Sequence, residues 1–303
     1  MQIVEGKTTF ITGGASGIGF GMARTFLRAG MKVVIADVRQ DHLDEAAATL
    51  KGANNVHFIR LDVTDRAAMA AAADEAEQVF GKVHVVCNNA GVGIMGGAKT
   101  ATYDDWDWGM SVNLDGVFNG IRTFLPRIIA HGECGHIVNT SSMSAVLPGA
   151  FVYAAAKGAV MNLSEAMAEE LAAEGVGVTC LMPGPISTNI HEVAVLRPER
   201  FSDTGVGDLE HGLMDRKPAA DWMDPLEVGA MVLDAIRRDQ LFVFTHNDFK
   251  AGVEQRFKAV LAAFPRGPVD EARASRLGFP TARPIYGRML EADEAPARSD
   301  EGE

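Results

Sequence analysis

The sequence predicts an α/β fold, in which a single doubly wound parallel sheet of about seven strands carries helices on both faces. Two observations predict this fold class. Short runs rich in Val, Ile and Phe alternate with longer amphipathic stretches along most of the 303 residues. The short runs are apolar throughout, which is typical of strands that are buried on both faces of a parallel sheet.

The predicted strands and helices follow one another in a regular order. Seven apolar runs of strand length cover residues 8–12, 32–36, 56–61, 83–88, 136–141, 177–182 and 241–245. Helical periodicity is found over residues 18–29, 41–50, 66–80, 104–130, 151–174 and 225–238. One more helix is expected over 247–264, and the repeated alternation indicates one domain that spans residues 1–264.

Two segments interrupt this order. Residues 187–224 follow the sixth predicted strand without clean periodicity, and an insertion of this length in a compact domain is usually a lid or a binding loop. We refer to it as the lid segment. Residues 265–303 are rich in proline, and their acidic end lacks aromatic residues. We expect this C-terminal extension to be solvated and mobile at its end.

Composition argues against several classes of function. The formal net charge is −12, and no Lys/Arg cluster could neutralise the phosphates of a nucleic acid or an anionic membrane surface. No apolar run is long enough to span a membrane, and the first residues are too few and too polar for a signal peptide. The three cysteines lack metal-ligand spacing, and the histidines lack paired spacing, so no metal site is expected. These features predict a soluble, cytoplasmic protein.

A glycine-rich loop follows the first predicted strand. Residues 12–19 read T-G-G-A-S-G-I-G and lead into a helix. Glycines let the backbone approach a pyrophosphate at the positive helix N-terminus, although turns need glycine for other reasons too. Asp37 ends the second predicted strand, where an acid can accept hydrogen bonds from ribose hydroxyls or simply start a loop. Because Asp37 would repel a 2′-phosphate and Val38 follows it, with Arg39 near, the pattern favours NAD over NADP.

The run Y-A-A-A-K places Tyr153 and Lys157 four residues apart on a predicted helix. Residues i and i+4 share one helix face, and the small alanines leave room beside them. One interpretation is a buried tyrosine beside a lysine whose amine reaches water. The other is an acid/base pair, in which Lys157 and a positive nicotinamide lower the phenol pKa from its ordinary value of about 10.

These motifs in this order resemble the short-chain dehydrogenase/reductase family over residues 6–245. Further matches are Asp62-Val63, Asn88-Asn89-Ala90-Gly91, Asn113, and Pro183-Gly184-Pro185-Ile186 with Thr188. The resemblance implies a Rossmann-type sheet and an NAD-dependent alcohol dehydrogenase. It assigns cofactor binding to Gly13, Ser16, Gly17, Ile18, Gly19, Asp37, Asp62, Val63, Asn89, Ala90, Gly91, Tyr153, Lys157, Pro183, Gly184, Ile186 and Thr188.

The resemblance also implies four catalytic residues, namely Asn113, Ser142, Tyr153 and Lys157. Tyr153 is then the acid/base, Lys157 tunes it and binds the nicotinamide ribose, and Ser142 holds the substrate oxygen. Asn113 would position a water that links Lys157 to solvent, although a helix asparagine that is bonded locally is the alternative. The chain offers Ser141, Ser142 and Ser144 near the end of the fifth predicted strand, and alignment from the strand selects Ser142.

The substrate cleft is expected to be wide and apolar, which suits a bulky aromatic alcohol better than a sugar. Its expected walls, some of which could instead be core, are Val92, Ile94, Met95, Met143, Val146, Leu147, Phe151, Val193, Leu196, Phe201, Leu213, Met214, Trp222 and Met223, with Arg197, Arg200 and Arg216 as lid charges. Residues 36–46 and 197–201 resemble the bacterial Cα-dehydrogenases of lignin β-aryl ether breakdown, which oxidise a benzylic alcohol with NAD. The alternative is a hydroxysteroid dehydrogenase or a 3-oxoacyl thioester reductase.

Two other classes fit less well. A non-catalytic dinucleotide sensor could lose Tyr153 or Lys157, and both are present. Nucleotide-sugar dehydratases and epimerases usually carry a G-x-x-G-x-x-G loop and a larger C-terminal domain.

The predicted helices over 104–130 and 151–174 carry small apolar residues on more than one face. By resemblance they pair across a two-fold axis, which predicts a homodimer or a homotetramer.

Overall fold

The computed structural model describes residues 1–214, 219–276 and 284–294, and the strands within these ranges form one parallel sheet of seven. The strands are β1 Thr8–Thr12, β2 Lys32–Asp37, β3 Val56–Arg60, β4 Val85–Asn88, β5 Gly135–Thr140, β6 Val176–Met182 and β7 Phe242–Phe244. Each pair of neighbours is parallel. The predicted fold class is confirmed, and each strand bound lies within two residues of its prediction.

The strand order β3-β2-β1-β4-β5-β6-β7 determines where a ligand can bind. From β1 the chain moves outward through β2 to β3, and it then returns to the other side of β1 as β4. The connections therefore diverge between β1 and β4. In open α/β sheets, ligands bind at the carboxyl ends of the strands beside such a switch point.

The helices of the first 250 residues connect these strands. They are α1 Gly17–Arg28, α2 Gln40–Thr49, α3 Arg66–Phe80, α4 Tyr103–Met110, α5 Gly116–His131, α6 Phe151–Glu170, α7 Gly207–Met214 and α8 Pro225–Arg238. Two of them begin at strong sequence signals. Asp65 accepts hydrogen bonds from the amides of Ala67 and Ala68 at the start of α3. Asp224 and Glu227 form a capping box around Pro225 at the start of α8.

The predicted helix over 104–130 contains a wider turn in its middle. Helices α4 and α5 are joined by a π-helical turn, Ser111–Asp115. Within this turn the Asn113 side chain accepts from the Val92 amide at 3.0 Å and donates to the Val92 carbonyl at 2.9 Å. Hydrophobic periodicity carries no signal for such a turn, which frequently marks a functional site. The predicted helix over 151–174 likewise ends its α-helical part at Glu170 and continues as a 3₁₀ turn, Leu171–Ala173.

The core lies on both faces of the sheet. On one face, buried side chains of α1, α2 and α8 pack against β1, β2 and β6. Helices α1 and α8 approach closely because Gly21 has no side chain; a β-carbon there would lie 2.1 Å from the Pro225 carbonyl oxygen. On the other face, the rings of Phe10 and Phe124 meet with centroids 4.6 Å apart, and both are fully buried. This rigid sheet fixes the strand ends that carry the site.

The chain divides into two compact units, Met1–Lys250 and Ala251–Glu303. The second unit contains most of α9 Lys250–Ala262, together with α10 Glu271–Ala274 and α11 Pro284–Glu294. The domain boundary after residue 264 stays a prediction, and the acidic end at 295–303, which we expect to be mobile, lies outside the described residues. In the part of the chain that is described, no helix is both long and apolar enough to cross a membrane.

Candidate active site

A cleft of about 720 Å³ opens at the carboxyl edge of the sheet, where the connections diverge. Its walls come from the loops that follow β1, β2, β3, β4, β5 and β6, from α4 and α6, and from the lid segment. Most of the predicted site residues line this cleft or lie directly beneath it. The switch point and the sequence motifs therefore identify the same place.

The glycine loop takes a conformation that requires glycine. Gly13 and Gly17 have φ of +59° and +49°, which side chains rarely tolerate. A β-carbon at Gly13 would lie 2.9 Å from the Ala90 Cα, and one at Gly19 would lie 2.0 Å from the Gly13 carbonyl oxygen. Ser16 precedes α1 without using its side chain as a cap. Helix α1 thus begins at the cleft, with Gly13, Ser16, Gly17 and Ile18 in its wall.

Two acids follow the neighbouring strands. Asp37, at the end of β2, is buried, and its carboxylate accepts from the amides of Ala15 at 3.2 Å and Arg39 at 3.1 Å. Burial raises the pKa of Asp37, while these amide donors act in the opposite direction. After β3, the Asp62-Val63 pair lines the cleft, and Asp62 accepts from the amide and hydroxyl of Thr64 at 2.9 and 2.8 Å. Both carboxylates are thus held by the backbone at the cleft wall.

The segment after β4 is bound directly to the glycine loop. The Thr12 hydroxyl accepts from the amides of Asn89 at 2.9 Å and Ala90 at 3.1 Å. The Asn89 side chain donates to the carbonyls of Thr12 at 3.1 Å and Gly13 at 3.2 Å. A β-carbon at Gly91 would lie 2.8 Å from Asn113 Oδ1. The N-N-A-G motif therefore fixes the spacing between the two strands that border the switch point.

The segment after β6 begins the lid. The Gly184 amide donates to the Thr245 hydroxyl at 2.9 Å. A β-carbon on Gly17 would lie 2.9 Å from the methyl group of Thr188, so the start of the lid packs onto the glycine loop. The predicted residues of this segment that line the cleft are Pro183, Gly184, Ile186 and Thr188.

Tyr153, Lys157 and Ser142 converge at the centre of the cleft. Lys157 is 2% exposed, its Nζ lies 5.6 Å from the centre of the Tyr153 ring, and it donates to the Thr140 carbonyl at 2.8 Å. The Ser142 hydroxyl accepts from the Ser144 amide at 3.1 Å and lies near enough to the Tyr153 phenol to lower its pKa. The Ser141 hydroxyl instead donates to the Lys157 carbonyl at 2.7 Å. Of these two serines, the geometry places Ser142 against the phenol and Ser141 against the helix backbone.

Burial shifts the pKa values of both Tyr153 and Lys157. Burial raises the pKa of the Tyr153 phenol, and Ser142 offsets only part of this rise. Burial also lowers the pKa of Lys157, to about 8. The lowered phenol pKa that the sequence predicts requires the positive nicotinamide as well as Lys157, and it stays a prediction. Desolvation outweighs the attraction of one amine that is itself buried.

Asn113 lies directly beside this group, fully buried in the π-helical turn. Both ends of its amide bond the Val92 backbone. The β-carbon position of Gly91 lies 2.8 Å from Asn113 Oδ1 and 3.4 Å from Lys157 Nζ, so both side chains reach one point. The four predicted catalytic residues are thus neighbours, and their roles stay predictions.

Six of the predicted apolar wall residues line the cleft, namely Val92, Met95, Met143, Leu147, Leu196 and Trp222. Other predicted wall residues do not line it. Ile94, Val146 and Val193 are buried core side chains, and Phe151 is 45% exposed on the outer surface, where it packs on Trp106. Neither Phe201 nor Met223 reaches the described wall, and the side chains of Leu213 and Met214 lie outside the described residues. Apolar character alone does not distinguish a cleft wall from core.

Several wall residues escaped the sequence reasoning. They include Trp108, Val112 and Phe249, whereas Pro148 and Ile190 belong to the segments 143–151 and 187–224 that are expected to form the wall. For the first two a signal was available, because Trp108 and Val112 lie four residues apart on the helix that leads to Asn113 and so share one face. Trp108 and Trp222 thus give the wall of the cleft aromatic as well as apolar side chains.

The three arginines of the lid segment differ in position. Arg197 is buried, donates to Glu210 and Asp105, and its guanidinium lies 4.5 Å from the centre of the Trp108 ring. Arg200 lines the cleft, and Arg216 lies outside the described residues. Among the residues that are described, no three His, Cys, Asp or Glu side chains are grouped closely enough to hold a metal ion.

Comparisons with known proteins agree with this geometry. A family model described as short chain dehydrogenase matches residues 7–197. A Cα-dehydrogenase of Sphingobium sp. strain SYK-6 is 38% identical over 266 residues, which cover 86% of this chain and 87% of that protein.

Two solved structures are similar over most of their length. One is a short-chain dehydrogenase/reductase of Burkholderia phymatum in complex with NAD, with 33% identity, coverage of 89% of this chain and 100% of that one, and a TM-score of 0.80. The other is the apo form of LigO from Sphingobium sp. strain SYK-6, with 41% identity, full coverage of both chains and a TM-score of 0.71. The protein is therefore an oxidoreductase that belongs to the short-chain dehydrogenase family.

Proposed function

We propose that this protein oxidises a bulky benzylic secondary alcohol to the ketone with NAD as the hydride acceptor. One observation carries the proposal. Tyr153 and Ser142, which lowers the pKa of the Tyr153 phenol, border a cleft whose wall also contains Trp108, Trp222 and Met143. An acid/base at an aromatic, apolar wall suits an alcohol carbon that is attached to an aromatic ring.

The residues present fit a dinucleotide. Gly13 approaches Ala90 so closely that any side chain there would collide with the Ala90 backbone, and α1 begins at the cleft wall, where a helix N-terminus favours an anion such as a pyrophosphate. Asp37 supplies a fixed carboxylate for the adenosine ribose. Bound NAD would supply a carbon that accepts hydride. Because a carboxylate repels a 2′-phosphate, Asp37 supports NAD rather than NADP.

The proton of the alcohol has a defined destination. Tyr153 takes the hydroxyl proton as general base while the carbinol carbon gives up its hydride, so that a C=O bond forms. Ser142 donates to the substrate oxygen and holds it against the phenol. Lys157, which is buried one helical turn away, favours the phenolate through its positive charge, and the positive nicotinamide adds to this effect. Asn113, which reaches the same point as Lys157, holds a water that relays the proton.

The substrate class rests on the lining and on the relatives. The wall combines two tryptophans with adaptable methionines, Met95 and Met143, and such surfaces accept bulky apolar molecules of varied shape. The relative named Cα-dehydrogenase and the LigO structure, at 38% and 41% identity, support a benzylic alcohol of the lignin β-aryl ether type. A hydroxysteroid and a 3-oxoacyl thioester are the alternative substrates, which the assay below includes.

We also propose that the protein is a homodimer or a homotetramer. Helices α4, α5 and α6 expose large apolar side chains, namely Tyr103, Trp106, Phe118 and Phe151. The rings of Trp106 and Phe151 lie 6.2 Å apart, so the exposed surface continues from α4 to α6. Exposed apolar surface that spans several elements is typical of a subunit interface.

The function is tested by NADH formation from NAD, followed by absorbance, with a guaiacylglycerol aryl ether, a hydroxysteroid and a short aliphatic alcohol. A reductive assay with a 3-oxoacyl thioester and NADH completes the panel. We expect the aryl ether to give the highest kcat/KM and Tyr153→Phe to abolish its turnover. Efficient turnover of the aliphatic alcohol alone would contradict both the substrate class and the role of the aromatic wall.

A further inference from the structure

Arg39 is a second charged residue near the end of β2, and its expected effect on cofactor choice differs from that of Asp37. It follows Asp37 by two residues and lines the same cleft. An arginine near the end of this strand is the residue type that accommodates the 2′-phosphate of NADP, whereas an acid at its end selects NAD. The chain therefore carries, two positions apart, a residue type that selects NAD and a residue type that accommodates NADP.

The Arg39 side chain is occupied on two sides by carboxylates. Its Nε donates to Asp41 Oδ1 at 2.8 Å, and its Nη2 donates to Asp41 Oδ2, which makes a bidentate pair. Its Nη1 donates to Glu192 Oε2 at 3.0 Å. A guanidinium binds phosphate through the same paired donors. All three nitrogens of Arg39 thus have carboxylate partners, and the bidentate edge is already used.

These two carboxylates come from different parts of the fold. Asp41 lies in the first turn of α2, and Glu192 belongs to the lid segment. His42 Nε2 lies 4.0 Å from Glu192 Oε2 and 3.3 Å from the Asn189 side-chain nitrogen, so a second contact joins α2 to the lid at the same point. The lid therefore determines how the Arg39 guanidinium is held.

The charges at this edge of the cleft are mainly negative. The Arg39 guanidinium donates to the carboxylates of Asp41 and Glu192, and the Arg39 backbone amide donates to the carboxylate of Asp37, so three carboxylates surround this residue. Its hydrogen bonds to Asp41, and then those to Glu192, raise the pKa of Arg39 above its ordinary range. A phosphate that arrived here would have to displace a carboxylate from Arg39 while it was repelled by the other two.

We propose that Asp41 and Glu192 are cofactor-specificity residues, because they hold the Arg39 guanidinium in a clamp and so exclude the 2′-phosphate of NADP. This inference rests on the dinucleotide site proposed above. It makes the preference for NAD a property of the α2 and lid carboxylates as well as of Asp37. Removal of Asp37 alone should then leave NADP binding weak, because Arg39 stays occupied.

The test measures binding of NADPH and NADH by the fluorescence of the reduced nicotinamide, which needs neither substrate nor turnover. Asp37→Ser is compared with the triple variant Asp37→Ser/Asp41→Asn/Glu192→Gln, in which the last two changes keep shape and remove charge. A freed guanidinium gains charge-assisted hydrogen bonds to phosphate, so we expect the triple variant to bind NADPH about ten- to a hundredfold more tightly than Asp37→Ser. Adding Arg39→Leu should reverse this gain.

Arg60→Leu provides the matched control, because it removes one guanidinium from the neighbouring strand β3. In the triple background it should leave the gain in NADPH affinity in place. If the triple variant binds NADPH no more tightly than Asp37→Ser, or if Arg39→Leu does not reverse the gain, the proposal that Asp41 and Glu192 exclude the 2′-phosphate through Arg39 is refuted. If the native protein binds neither NADH nor NADPH, the proposed dinucleotide site itself fails, which is a separate result. The single variant Glu192→Gln repeats the comparison with one change, and its NADPH/NADH affinity ratio should rise.

Discussion

Two adjacent serines at the end of β5 give the sharpest test of the proposed chemistry. Ser142 lowers the pKa of the Tyr153 phenol, whereas the Ser141 hydroxyl donates to the Lys157 carbonyl at 2.7 Å. Both serines are buried, at 7% and 1% exposure, so replacement by alanine removes one hydroxyl from a similar environment. The pair Ser142→Ala and Ser141→Ala thus separates a chemical role from a structural one at neighbouring positions.

Ser142→Ala should lower the rate of catalysis, whereas Ser141→Ala should lower the stability of the fold. Loss of a donor that stabilises developing charge lowers kcat by about 10²–10³-fold, which is the effect expected for Ser142→Ala. In the free enzyme Ser142 also lowers the pKa of Tyr153, so its removal should move the rising limb of the kcat/KM–pH profile, which reports the free enzyme, to higher pH. Ser141→Ala loses one buried hydrogen bond, which costs about 1 kcal/mol of unfolding free energy, or about 2–4 °C in Tm.

The assay measures kcat, kcat/KM against pH, the affinity for NADH and the Tm of both variants and the native protein. Ser142→Ala should retain NADH affinity and Tm, and Ser141→Ala should retain kcat within about threefold. Equal losses of kcat in the two variants would show that Ser142 has no special role. A pH profile of Ser142→Ala that coincides with the native one would refute the proposed effect on the Tyr153 pKa.

Four further expectations follow from the same site. Tyr153→Phe should lower kcat at least about 10²–10⁴-fold while NADH still binds, because the ring packing stays and the ionisable oxygen is lost; retained turnover would refute the mechanism. The native enzyme should have a far higher kcat/KM with NAD than with NADP because of Asp37, and equal values would contradict that role. Burial lowers the pKa of Lys157 from 10.5 to about 8. Between these two pH values the unfolded chain binds more protons than the folded one, so the unfolding free energy should rise with pH. Urea unfolding should show a smaller rise for Lys157→Met than for the native protein. Light scattering should give the mass of a dimer or tetramer, and a monomer would refute the proposed interface of α4, α5 and α6.

The sheet could be predicted from the sequence because its signals are local and repeated. Apolar runs such as 32–36 match β2 almost residue for residue, since a strand buried on both faces leaves no polar position to confuse the pattern. The helix over 66–80 was predicted at its observed bounds, because Asp65 caps it and Gly81 ends it in a conformation with positive φ. Capping residues and glycines thus mark in the sequence where a helix begins and where it ends.

The details of the cleft could not be predicted in the same way. Whether Ile94 and Val193 line the cleft or lie in the core depends on which neighbours fold over them, and a single sequence does not contain that information. Both are buried in a cluster with Val92 and Trp108, of which the last two also reach the cleft. The choice between Ser141 and Ser142 likewise depends on side-chain direction, which alternates along the chain after β5 and is fixed only by helix α6.

Arg197 shows how a charge in the lid can shape an apolar site without touching the substrate. Asp105, at the start of α4, is fully buried and accepts from the Thr102 and Gly205 amides, the Thr204 hydroxyl and Arg197. Because a buried carboxylate without partners would be costly, these donors and Glu210 on α7 bind the lid segment and α4 together. The Arg197 guanidinium lies on one side of the Trp108 indole, at a distance typical of cation–π contacts, while the indole also lines the cleft. The buried charges therefore fix the orientation of an aromatic side chain in the wall of the cleft.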